Sequence, residues 1–292
     1  MKTTEGFMPF HGYQTYYRIV DEAQNGTAPL ILLHGGPGSS HNYFEMLDDL
    51  AESGLQLIMY DQLGCGRSSA PDQPELWQAE TWMDELAELR RYLKLDRVHL
   101  LGQSFGGMLA IMYLLERKPK GVQSLILSST LSSASLWASE QHRMIKYLPA
   151  NEQAAIATAE QTGNYETPEY LAANEHYMAL HAAAPVTAAS PEPLRRPKQN
   201  GDQAYLTAWG PNEYNPLGNL HNYEYTDRLH ELTLPTLITN GTDDLCTPLV
   251  AKTMFDQLPN ANWHLFQNSR HMPFVEHHDE YVSLLRDWLT QH

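Results

Sequence analysis

At 292 residues, with 42% apolar and 18% charged residues and no low-complexity tract, the chain suits one α/β domain with an insertion or two small domains. Nineteen Lys and Arg against 35 Asp and Glu give a net charge of −16. This argues against binding to phosphate backbones or anionic membranes, which need basic surface, while permitting attraction of cationic ligands.

In chain order, the opening "MKTTEGFMPFHGYQ" has no apolar stretch of signal-peptide length, and no run of about 18 apolar residues occurs anywhere. Cys65 and Cys246 make no disulfide framework, so a cytoplasmic protein with free thiols is expected. The NGT triplets at Asn25 and Asn240 match a glycosylation pattern that has meaning only in a secreted chain. "GYQTYYRIV" (12–20) alternates and predicts an antiparallel edge strand. Apolar, β-branched runs at 29–35, 55–61, 97–104, 123–129, 235–241 and 262–268 predict buried strands. Helical spacing between them at 82–95 and 106–118, and again in the C-terminal "EYVSLLRDWLTQH", predicts a parallel sheet covered on both faces.

The alternation stops after Ser129. From 131 to 226 the chain offers Ala-, Glu- and Tyr-rich helical stretches broken by the Pro-rich "ASPEPLRRP". The expected organisation is an α/β core of residues 1–130 and 227–292 with a helical cap of 131–226 over the carboxyl edge of the sheet, where open α/β sheets bind ligands. Arg195, Arg196 and Lys198 form a short basic cluster that reads as a solvated loop.

Gly102-Gln103-Ser104-Phe105-Gly106 fits G-x-S-x-G, directly after a predicted strand and opening a predicted helix. The strand must turn sharply with the serine in strained backbone geometry, which leaves no room for side chains at the flanking positions. Ser104 is therefore the candidate nucleophile. Such a serine needs a base and an orienting carboxylate, each just after a later strand in the order Ser, Asp, His. His271, in "LFQNSRHMPF", is singled out among 14 histidines by that position. Asp243 and Asp244 compete for the acid, and the G-x-x-D-x-x-x-P spacing from Gly241 to Pro248 favours Asp244. The "EHHDE" stretch (276–280) lacks metal-ligand spacing and reads as a solvated helix start.

Acyl transfer also needs two donors for the oxyanion. The backbone N–H of Phe105 is one candidate; Gly36, in the glycine-rich "LLHGGPGSSH", is the other. That loop matches no phosphate-binding pattern. Neither metal nor cofactor is required by this chemistry.

Together, "HGGPG" (34–38), "YDQLGCGRS" (60–68), "GQSFGG" (102–107), "GTDDLCTP" (241–248) and the "SRH" ending at His271 resemble the proline iminopeptidase family of α/β-hydrolases across nearly the whole chain. The resemblance implies an α/β-hydrolase fold and an aminopeptidase that releases an N-terminal residue, preferably proline, from short peptides or aminoacyl amides with a free N-terminus. It assigns the acid to Asp244, and it makes Glu213, in "GPNE" (210–213), the group that binds the substrate's α-amine. The chain departs from the family's pattern at Leu245, where relatives often carry a second acid, and at Phe105, where many have tryptophan or tyrosine. The competing reading is an esterase, lactonase or amidase on the same scaffold. Tyr205, Trp209 and Tyr214 flank Glu213, either lining a pocket for a prolyl ring or packing against the core.

Overall fold

The computed structural model describes residues 1–21 and 26–292, and Asn25 of the first NGT triplet lies outside them. A hairpin of β1 (Thr3–Phe10) and β2 (Tyr13–Val20) starts the sheet. It is followed by β3 (Leu30–Leu33), β4 (Leu57–Tyr60), β5 (Val98–Gln103), β6 (Val122–Ser128), β7 (Thr236–Gly241) and β8 (Ala261–Phe266). The order across the sheet is β1-β2-β4-β3-β5-β6-β7-β8. β2 runs antiparallel to both its neighbours, and the pairs from β4 to β8 are parallel.

The strand expected at the edge is thus second in the sheet, and β1 takes the edge. Gly6 and Pro9 hide β1 from a propensity reading. An edge strand tolerates proline because one side of its ladder has no partner.

The α-helices of the described residues are α1 (Ala79–Tyr92), α2 (Phe105–Met112), α3 (Ala134–Ile145), α4 (Ala150–Thr162), α5 (Pro168–His181), α6 (Glu192–Arg195), α7 (Asp202–Ala208), α8 (Pro248–Gln257), α9 (Pro273–Glu276) and α10 (His278–Gln291), and a 3-10 helix spans His41–Ser53. α2 continues into a π-helical turn, Tyr113–Arg117, which ends at the left-handed Lys118 just before Pro119. Helices α3 to α7 all fall between β6 and β7.

Alternate residues of the central strands feed two apolar layers. Ile31, Leu33, Ile58 and Tyr60 enter one with α1 and α2; Leu30, Leu32, Leu57 and Met59 enter the other with α10. Strands buried on both faces explain the uninterrupted apolar runs in the sequence. The first layer extends without a break into the helices after β6 through Trp137, Tyr177 and Trp209.

Among the described residues no helix is long and apolar enough to cross a membrane, and no group of His, Cys, Asp or Glu could hold a metal ion. In the "EHHDE" stretch, His278 opens α10 and bonds Asp49 at 2.9 Å.

Candidate active site

β5 ends at Gln103, and the chain turns at Ser104 with φ 54° and ψ −123° before α2 begins at Phe105. A non-glycine residue held there stores on the order of 1–3 kcal/mol of strain, so the surroundings must impose it. They do so through the backbone. Ser104 N–H donates to the Ser128 carbonyl at 3.0 Å, and the Ser104 carbonyl accepts from Gly107 N–H at 2.9 Å and the Thr130 hydroxyl at 2.6 Å. A Cβ on Gly106 would collide with the Leu33 carbonyl oxygen, so α2 can lie this close to β3 only with glycine at that position.

Asp244 follows β7 and His271 follows β8. His271 Nδ1 and Asp244 Oδ1 are 2.6 Å apart. The carboxylate, only 1% exposed, also accepts from Cys246 N–H at 2.8 Å, the Ser129 hydroxyl at 2.6 Å and Gly241 N–H at 3.1 Å. Facing a carboxylate, Nδ1 carries the proton and Nε2 is the basic nitrogen. Asp243 is exposed and, among the described residues, bonded through its backbone: its N–H reaches the Ser269 carbonyl and its carbonyl accepts from His181 Nδ1 at 2.8 Å. The histidine therefore pairs with Asp244 rather than Asp243.

Two supporting arrangements escaped the sequence reading. Gly35 N–H donates to the Tyr43 hydroxyl at 2.6 Å, which donates to Gln103 Oε1 at 2.8 Å, and Gln103 Nε2 donates to the His271 carbonyl at 3.3 Å. This chain joins the glycine-rich loop, the serine turn and the histidine loop. Gln103 is an "x" of the serine motif, so its type carried no signal. The second support is the end of α5. Leu245 N–H donates to the His181 carbonyl at 3.2 Å, His271 N–H to the Ala182 carbonyl at 3.1 Å, and Arg270 Nη1 to the Ala179 carbonyl at 2.9 Å. One helical terminus thereby holds the loops carrying both Asp244 and His271.

Gly36 has φ 116°, a conformation that favours glycine. The loop around it is braced by His34, whose Nδ1–H donates to the Gly35 carbonyl at 2.9 Å and whose Nε2 accepts from Gln62 N–H at 3.0 Å. Burial lowers the His34 pKa to about 4, so the ring is neutral and both contacts persist at neutral pH. Below it, Asp61 accepts from Arg67 N–H at 2.8 Å and from His41 N–H at 2.8 Å. Motif "YDQLGCGRS" is therefore the brace of the glycine-rich loop. Both cysteines are free and buried: Cys65 Sγ donates to the Gln62 carbonyl, and Cys246 Sγ to the Thr130 carbonyl.

Gly36, Ser104, His271 and Glu213 line one cavity of about 480 Å³, a size suited to a small ligand. Asp244 stands behind His271. The Phe105 ring is buried edge-on against Trp82 at 5.0 Å, and its backbone N–H opens α2 next to Ser104. Glu213 Oε1 accepts from the Tyr205 hydroxyl at 2.8 Å, and the Glu213 carbonyl accepts from Trp137 Nε1 at 2.7 Å. Burial raises the Glu213 pKa, opposed by the Tyr205 hydrogen bond and the nearby His271. Trp209 and Tyr214 are buried and pack with the core, so of the three flanking aromatics only Tyr205 reaches the acid. Leu245 is buried and lends an apolar wall.

The family model described as alpha/beta hydrolase fold matches residues 28–278. The chain is 63% identical over its whole length to a proline iminopeptidase of Lactobacillus helveticus, covering 99% of that protein. It is 64% identical to one of Lactobacillus delbrueckii subsp. lactis, with 99% of each covered. The crystal structure of a Mycobacterium smegmatis proline iminopeptidase superposes with a TM-score of 0.88 at 30% identity, over 99% of this chain and 98% of that one. The chain belongs to the proline iminopeptidase family of the α/β-hydrolase fold.

Proposed function

We propose that the chain is a serine aminopeptidase releasing an N-terminal residue, preferentially proline, from short peptides or amides through an acyl-enzyme. The observation that carries this reading is a half-buried carboxylate, Glu213, in the same cavity as Ser104 and His271. An α-amine with a pKa near 8 is mostly cationic at neutral pH. A carboxylate drawn out of water gains most by pairing with such a cation through charge-assisted hydrogen bonds. Glu213 thus fixes where the free N-terminus sits, and Ser104 lies at the first carbonyl.

Ser104 attacks that carbonyl while His271 Nε2 takes the hydroxyl proton. Asp244 holds the imidazole in the required tautomer and stabilises the imidazolium. The N–H groups of Gly36 and Phe105 hold the oxyanion; one such donor is typically worth about 100- to 1000-fold in kcat. His271 then protonates the leaving amine, and water activated by the same imidazole releases the acyl group. Residues 131–226 act as the cap that admits short, unblocked peptides, and the core comprises 1–130 and 227–292. The two free, buried thiols accord with a reducing, cytoplasmic setting.

The test is kcat/KM over a series of free aminoacyl arylamides. Prolyl arylamide should lead the series, and Ser104→Ala should abolish turnover. Faster hydrolysis of simple esters than of any aminoacyl arylamide would instead support the esterase reading.

A further inference from the structure

The cavity has a second charged feature that the reaction leaves unused. Lys198 lines it beside Gly36 and Ser39, and its Nζ donates to the Ser39 hydroxyl at 3.1 Å. Its segment is an exposed loop, as expected, yet it is fastened on both sides. Arg196 makes two hydrogen bonds to the Glu45 carboxylate, at 2.6 and 3.1 Å. The Gln199 carbonyl accepts from Gly66 N–H at 2.8 Å, and Gly201 N–H donates to the Gly38 carbonyl at 2.8 Å. The backbone around Lys198 is thereby attached to the same glycine-rich loop that carries Gly36. Arg270, the other cation on the cavity wall, is already committed to Glu276 and the Ala179 carbonyl. Lys198 has no carboxylate among its hydrogen-bond partners in the described residues.

We propose that Lys198 receives the free carboxylate of the leaving peptide, so that one cavity reads both ends of a short peptide. The proposal rests on the aminopeptidase reading above. With the α-amine on Glu213 and the scissile carbonyl at Ser104, the remainder of the substrate runs along the wall formed by Ser39, Lys198, Leu194 and Val275. Apart from the polar groups near the serine, that wall is largely apolar, and its uncommitted cation marks where a terminal carboxylate gains a charge-assisted hydrogen bond. A di- or tripeptide zwitterion presents charges in this order. Internal peptide segments and C-terminally amidated peptides do not.

The experiment compares kcat/KM for prolylglycine and prolylglycinamide in the wild type and in Lys198→Met, Lys198→Arg and Lys198→Glu. Intrinsic differences between the leaving amines cancel when the acid-to-amide ratio is compared among enzymes. Removing the cation should lower that ratio about fivefold in Lys198→Met, the scale of a partly exposed ion pair. Lys198→Arg should keep it, and Lys198→Glu should lower it further. High salt should shrink the ratio in the wild type and leave it flat in Lys198→Met. Equal ratios in all four proteins would overturn the role of Lys198. Failure of the wild type to cleave prolyl arylamide would overturn the aminopeptidase reading itself, which keeps the two outcomes apart.

Discussion

Ser104 shows how much a single position can disclose. Its motif, strand and helix were all visible, because a serine turn needs small neighbours where β5 meets α2, and sequence reports steric need well. Asp244 shows the opposite. Two adjacent acids differ little in sequence, the spacing and the family resemblance favour the second, and the turn after β7 brings that one to His271 at 2.6 Å. Asp244 is also held by Cys246 N–H, Gly241 N–H and the Ser129 hydroxyl, so its orientation is fixed independently of the histidine. Asp244→Asn should therefore keep the fold while presenting an amide to Nδ1 and favouring the wrong tautomer. Steady-state kinetics should show kcat lower by on the order of 10³- to 10⁴-fold with KM little changed. Retained kcat would remove Asp244 from the mechanism. Gln103 and Tyr43 could not be read in advance, because a hydrogen-bond chain linking residues 35, 43, 103 and 271 has no local pattern.

At the level of elements, the parallel strands were the most legible, since burial on both faces forces continuous apolar runs. β1 was not, because Gly6 and Pro9 interrupt its pattern and an edge position tolerates both. The helices between β6 and β7 could be anticipated as helices, yet their attachment to the site could not. The end of α5 reaches the Asp244 and His271 loops through backbone carbonyls, which carry no residue signature. The basic cluster is exposed, as expected of a solvated loop, but its long-range attachment could not be read: Arg196 reaches Glu45 and Lys198 reaches Ser39, contacts with no local pattern. Residues between β6 and β7 therefore touch the loops carrying Asp244 and His271 at α5, and the loop carrying Gly36 at residues 196–201.

For the whole molecule, two buried groups make stability fall on the alkaline side. Burial raises the Glu85 pKa to about 8 from 4.5, outweighing the hydrogen bonds it receives from Thr15 and Leu63 N–H. Burial alone would depress His41, but its bonds to Asp61 and Glu45 prevail and raise it to about 9 from 6.5. Each group binds a proton more tightly folded than unfolded, so stability declines as pH rises between its unfolded and folded pKa. Glu85 acts from about pH 4.5 to 8. The His41 contribution is complete below pH 6.5 and lost as pH rises through 9. Glu45 and Asp61, with lowered pKa values, act oppositely and lose their contribution in acid. Urea unfolding midpoints should consequently fall from pH 6.5 to 9, and Glu85→Gln should show a shallower slope between pH 5 and 8. Parallel profiles for the two proteins would mean that Glu85 does not take up the proton.

Residues 131–226 and the rest of the chain line one cavity, and in the proposed reaction Glu213 there binds the free N-terminus beside Ser104. The most direct test of that role is kcat/KM for prolyl arylamide and its N-acetyl form, in the wild type and in Glu213→Gln. Losing one member of a buried charge pair typically costs about 2–5 kcal/mol. The wild type should cleave only the free substrate at an appreciable rate, and Glu213→Gln should lose about 30- to several-thousand-fold on it. Equal cleavage of free and acetylated substrates by the wild type, or an undiminished Glu213→Gln, would contradict that role.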